Sequence, residues 1–198
     1  MAGRPALLGL VTIDDSQRKF PPLAAPRDIQ INRAPVLTLW AAVVAERLGF
    51  DHREALTLGH AVAGLNAYSK GKALGLFAPT PKEVRERRRK MRAAEGVTVD
   101  LLQRAIPCVR SDDGIRALSG DQPINPASVD RYLASKFGPA LGDVRDAMAA
   151  LARSLTPTRL AACAYRLYEE FRPAVPAGVK GWGAAGILSI DKIRSLTR

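Results

Sequence analysis

The chain has 198 residues, 47% hydrophobic and 25% charged, which is enough apolar material for one packed core and excludes a disordered chain. Lysine and arginine outnumber aspartate and glutamate by 30 to 19, so the formal net charge is +11 and the expected partner is a polyanion. No apolar run approaches the roughly 18 residues of a membrane span, and Cys108 and Cys163 lack a CxxC neighbour, which excludes a membrane protein and a disulfide scaffold.

Residues 1–31 read as an extended N-terminal arm. Pro5, Pro21, Pro22 and Pro26 interrupt any long element, and Ala6 to Ile13 suits a strand or an arm packed on the body. The apolar stretch Ala6 to Val11 is too short for a signal peptide, and Asp14-Asp15 follow it. A helical domain is expected over 32–172. Asn32 is placed as an N-cap with Pro35 in the first turn. Val36, Leu37, Leu39, Trp40, Val43, Val44 and Leu48 then cover most of a helix circumference, the pattern of a helix buried on all sides. Gly49 stops it, and Asp51 with Glu54 opens a second helix through a capping box. Ala55, Leu58, Val62 and Leu65 mark that helix's buried face, beside a strip of small residues at Gly59, Ala63 and Ala67. His60 lies about half a turn away from the buried face. Fraying is expected near Ser69, leaving Lys70 and Lys72 as cations beside a flexible Gly71.

Two short resemblances touch this helix pair. Val44-Ala45, Leu48-Gly49, Ala55 and Leu58 resemble the helix-turn-helix of bacterial repressors, which implies a second helix entering the DNA major groove. Leu48-Gly49-Phe50-Asp51, Glu54-Ala55 and Leu58-Gly59-His60 are similar to the second helix of metal-dependent HD phosphohydrolases. Those enzymes ligate metal through a His-Asp pair, and here Ala61 follows His60, so the pair is broken. The plain alternative is an ordinary helical hairpin.

Thr80, Pro81 and Glu83 open a third helix with a cap, a proline and a capping box. Arg88, Arg89 and Arg92 lie three, four and seven residues after Arg85, so the four share one face. Four guanidiniums side by side repel one another unless an anion meets them, and their forked geometry suits phosphate. The alternative is a solvated face with intrahelical pairs such as Glu83–Arg87.

Val97, Val99 and Leu101 alternate after Gly96. Ile106–Val109 and Ile115–Leu118 flank Asp112-Asp113-Gly114, a hairpin signal. The two aspartates are assigned to the turn rather than to a metal or acid–base site, because adjacent turn residues point apart. Asn125-Pro126 and Thr156-Pro157 open two further helices, with another from about Gly142 to Leu155 between them. Their apolar stripes comprise Val129, Tyr132, Leu133 and Phe137, then Val144, Met148, Leu151 and Leu155, then Leu160, Ala164, Leu167, Tyr168 and Phe171. Residues 173–198 form a Gly/Pro-rich segment packing on the domain, with Lys180 and Trp182 in a glycine loop. Trp182 either stacks a base or plugs the core. Ile187 to Leu196 closes the chain as a strand or a helix.

The expected fold is mainly α, a single-domain bundle of about six helices with a small β-hairpin at 106–118. The expected function is non-enzymatic nucleic-acid binding in the cytoplasm, with double-stranded DNA as partner and a homo-oligomer left open. Lys70, Lys72, Arg85, Arg88, Arg89, Arg92, Lys180 and Trp182 are the expected contacts. No cofactor and no metal are expected: only His52 and His60 are present, and no nucleotide loop, HExxH or GxSxG motif occurs. The alternatives are a small hydrolase or transferase with a basic cleft for a phosphorylated small molecule, and a scaffold for an acidic protein.

Overall fold

The axis of the molecule is α1 (Arg33–Arg47), whose residues Pro35 to Ala45 are all buried. The computed structural model describes residues 28–78, 80–84, 86, 96–178 and 184–197. Trp40 sits wholly inside. Its Nε1 donates to the Ala164 carbonyl at 2.8 Å, and its ring meets Phe171 edge-on at 5.3 Å. Gly49, at φ 105°, turns the chain after α1, a conformation that glycine adopts without the clash of a Cβ.

The next helix, α2 (His52–Ala73), begins with a complete capping box: Asp51 Oδ1 accepts from the Glu54 N–H and Glu54 Oε2 accepts from the Asp51 N–H. It lies so close to α1 that a Cβ at Gly59 would press on the Thr38 carbonyl oxygen and sit 2.9 Å from the Ala42 nitrogen. The small strip marks a true close approach. The helix does not fray at Ser69 but runs to Ala73. The returning chain pins it. Leu76 N–H donates to the Gly71 carbonyl, and the Phe77 ring lies where a Cβ of residue 71 would be. Phe77 also stacks against Tyr68 at 6.1 Å, and the Tyr68 hydroxyl is 2.9 Å from Thr80 Oγ1.

The expectation of a mainly α bundle is overturned. Of the described residues, 58% are helical and 19% lie in strands, in two antiparallel sheets, so the fold is mixed α/β. The hairpin is there, as β3 (Arg104–Ser111) and β4 (Gly114–Ser119), but β2 (Val97–Leu101) precedes it and β5 (Gln122–Pro123) follows, in the order β2-β3-β4-β5. Val99 opposes Ile106 and Cys108 opposes Ala117, which puts these four buried residues on one face. Beyond β5 the edge of β4 is finished by side chains of α2: Ile115 N–H donates to Glu54 Oε1 at 2.7 Å and Ala117 N–H to Thr57 Oγ1 at 3.2 Å.

The second sheet pairs β1 (Asp28–Ile31) with β6 (Gly186–Ser189), and Ala174 bridges to Ile187. The remaining helices are α3 (Pro126–Phe137), α4 (Leu141–Arg153) and α5 (Pro157–Phe171), with a short 3-10 turn at Gly138–Ala140. Asn125 and Thr156 cap α3 and α5 as their sequence punctuation requires. The closing segment is both a strand and a helix, β6 running into α6 (Ile190–Ser195). Among the described residues no helix is long and apolar enough to cross a membrane.

Candidate anion-binding cleft

One recess of about 1030 Å³ opens between the start of α1, the C-terminal half of α2, the start of β3 and the end of α5. Strand register explains how β3 reaches it. Arg104 opposes Leu101, so it shares the buried face of Val99 and Ile106. At the end of that face it meets α2, where Nη2 donates to Asn66 Oδ1 at 3.3 Å and Nη1 lies 3.5 Å from Ser69 Oγ. Helical spacing does the same for α2: Asn66, Ser69 and Lys70 fall at i, i+3 and i+4, and all three line the cleft.

Asn66 Oδ1 also accepts from the Tyr165 hydroxyl at 3.4 Å. With its oxygen engaged twice, the amide's remaining capacity is donation through its NH2 group. Tyr168, behind Tyr165, is buried and donates to the Arg33 carbonyl at 3.2 Å. Burial pushes its phenol well above the usual tyrosine range, so it stays neutral at any physiological pH. Arg33 Nε in turn donates to the Pro173 carbonyl at 3.2 Å, fastening α1 to the segment that follows α5.

Four cations therefore surround the recess: Arg33, Lys70, Arg104 and Arg172. No described carboxylate lines it. Arg172 has an exposed i, i+3 contact with Glu169 at 3.7 Å, and no described carboxylate lies within ion-pair distance of the other three. Arg33 and Arg104 are thus held by neutral acceptors, and of the four cations Arg172 alone has a described carboxylate in reach, the condition that favours an incoming anion.

Of the residues singled out in the sequence, Lys70 lines the cleft and Lys72 is exposed but does not. Arg85, Arg88, Arg89, Arg92, Lys180 and Trp182 lie outside the described residues. The segments that flank them are described. Lys82, Glu83, Val84 and Glu86 are helical, with Lys82 and Glu86 3.9 Å apart, and Pro176 and Ala184 both line the cleft. Arg33, Arg104, Tyr165 and Arg172 are absent from the sequence reading. Arg33 and Arg104 stand alone among apolar or ordinary polar neighbours, Arg172 follows Glu169-Glu170, and no spacing rule connects the three arginines.

The start of α2 is exposed at His52 and Arg53, and burial begins beyond Glu54. Ala55 to Gly59 are buried in succession. Arg53 pairs with Asp113 at 3.2 Å, and His52 Nδ1 is 2.7 Å from Glu46 Oε1, which also receives Arg145. Asp113 lies 3.8 Å from Arg116 as well, which fits its role in the turn. His60 faces α3 rather than the cleft: its ring meets Tyr132 edge-on at 5.9 Å, and Nδ1 is buried with no described partner. Burial lowers the His60 pKa below its ordinary 6.5. Below pH 6.5 the unfolded chain binds a proton there that the native state refuses, so stability falls with pH from that value down to the native pKa and is fully present above it. Urea unfolding at pH 7.5 and 5.5 should show this loss, and His60→Phe should reduce it. Among the described residues no group of three His, Cys, Asp or Glu side chains is placed to hold a metal ion. No family model, curated protein or solved structure matches the chain.

Proposed function

We propose that the protein binds nucleic acid through its phosphates and that this cleft is where the backbone lies. The observation that carries the reading is the convergence of Arg33, Lys70, Arg104 and Arg172, from four separate parts of the fold, on one recess with no described carboxylate in its lining. Arginine forks bind two phosphate oxygens each, and Lys70 adds a point charge. The net charge of +11 extends the attraction beyond the cleft and speeds encounter. Such contacts position a strand without reading its sequence. The protein would work in the reducing interior of the cell, in keeping with the free thiols of Cys108 and Cys163.

The test is retention of generic oligonucleotides in a mobility-shift titration at low and moderate salt. Four phosphate contacts correspond to a slope of about −3 in log affinity against log salt. An absence of any shift at low salt would remove the proposal. A second reading has one observation in its favour: about 1030 Å³ is close to the upper end of small-ligand cavities, so a phosphorylated small molecule would also fit. It predicts weak oligonucleotide binding and a shallow salt dependence.

A further inference from the structure

We infer that the occupant of the cleft is a single, unpaired nucleic-acid strand whose bases lie against the apolar parts of the recess while its phosphates follow the cationic rim. This rests on the nucleic-acid reading above and narrows it. The site is a recess between helices, whereas a duplex carries its phosphates on the outside of a broad cylinder that a cavity of about 1030 Å³ does not admit. A lone strand has a narrower cross-section and exposes the faces of its bases.

The lining is the second argument. A surface that only held phosphates would need cations and hydrogen-bond donors, yet this one also presents Leu74, Leu76 and Tyr165. Leu74 and Leu76 stand at the mouth and are each 61% exposed. They are held there by the backbone: Leu74 N–H donates to the Lys70 carbonyl at 3.0 Å and Leu76 N–H to the Gly71 carbonyl at 2.8 Å. Two large aliphatic side chains exposed to water gain by being covered, and the face of a base is a flat apolar cover. Tyr165 is held as well, by its hydroxyl bond to Asn66 and by the Tyr168 ring at 6.1 Å. A platform already in place loses little side-chain freedom on binding. Cations beside apolar and aromatic surface form the pattern that grips single strands regardless of sequence.

The experiment is fluorescence anisotropy with four probes compared at equal phosphate concentration: oligothymidylate and oligouridylate of about 12 nucleotides, a duplex of that length, and inorganic polyphosphate. At about 100 mM salt, at least one of the two single strands should bind about tenfold more tightly than both the duplex and polyphosphate. The double variant Leu74→Ser with Leu76→Ser should weaken that binding about tenfold without changing the salt slope, because no phosphate contact is lost. Both side chains are already exposed, and a thermal melt checks that the fold is kept. Arg104→Gln should do the reverse, making the slope shallower by about 0.7. Equal or tighter binding of the duplex, equal binding of polyphosphate, or an unchanged affinity in the leucine variant each overturns the inference and leaves the nucleic-acid or general polyanion reading standing. Failure of all four probes at low salt overturns both.

Discussion

Trp40→Ala will lower the unfolding free energy by about 3–5 kcal/mol, read as a shift of the urea midpoint followed by circular dichroism. Trp40 is fully buried at the centre of α1, and its removal leaves a cavity bounded by Phe171 on one side. It also leaves the Ala164 carbonyl without the indole donor, which adds to the loss from the cavity. Trp40→Phe separates the two contributions. It keeps most of the apolar volume and removes the N–H, so it should cost about 1–2 kcal/mol. Should Trp40→Ala prove nearly neutral, α1 is not the axis of the core.

The largest functional effect is expected from the double charge reversal Lys70→Glu with Arg104→Glu. Hydrogen bonds to charged groups contribute about 1.5–3 kcal/mol each, so loss of two phosphate contacts should reduce nucleic-acid affinity by about two to four orders of magnitude at moderate salt. The salt slope should become shallower by about 1.5–2. Stability should change little, since Lys70 is exposed and Arg104 makes only long contacts to Asn66 and Ser69, at 3.3 and 3.5 Å. Arg104→Lys keeps the charge but loses the fork, so it should fall between the wild type and the reversal. A double variant that binds as tightly as the wild type would show that the cleft is not the site of contact.

The elements that sequence reveals here are those that carry their own punctuation. Asn125-Pro126 and Thr156-Pro157 start helices, Gly49 ends one, and Asp51 with Glu54 closes a capping box, all through contacts within a few residues. The sheet was legible at the alternation of Val97, Val99 and Leu101 and at Asp112-Asp113-Gly114, where the turn residues are conventional. The β2–β3 turn is made by Leu102 and Gln103 at φ 48° and 60°, a conformation that neither residue favours. Leu102 is 3% exposed, so burial of its side chain holds the turn open to a backbone its sequence does not announce. The persistence of α2 past Ser69 depends on Phe77 folding back over Gly71, a tertiary contact that overrides local helix propensity.

The cleft was legible at one residue of its cationic set. Lys70 stood out beside Lys72, but whether a given lysine faces the recess is decided by the phase of a helix that was expected to have ended. Arg33, Arg104 and Arg172 converge only through packing across the whole chain, exemplified by the bond from Arg33 to the Pro173 carbonyl. The regular arginine spacing at 85, 88, 89 and 92 was the louder local signal, whereas the arginines of the recess, at 33, 104 and 172, share no periodicity.

The pairing of β1 with β6 has a consequence for how the protein is made. Ser189 is Asp28's partner and is synthesised 161 residues later (189 − 28), which at ribosomal speeds is a delay of roughly 8 to 30 seconds. Throughout that interval the first strand has no mate. The Pro173 carbonyl that steadies Arg33, and the Val175, Pro176 and Ala184 wall of the recess, also emerge late. A nascent chain therefore closes the recess, and completes a core that includes Leu188, Ile190 and Ile193, only after this late segment has emerged.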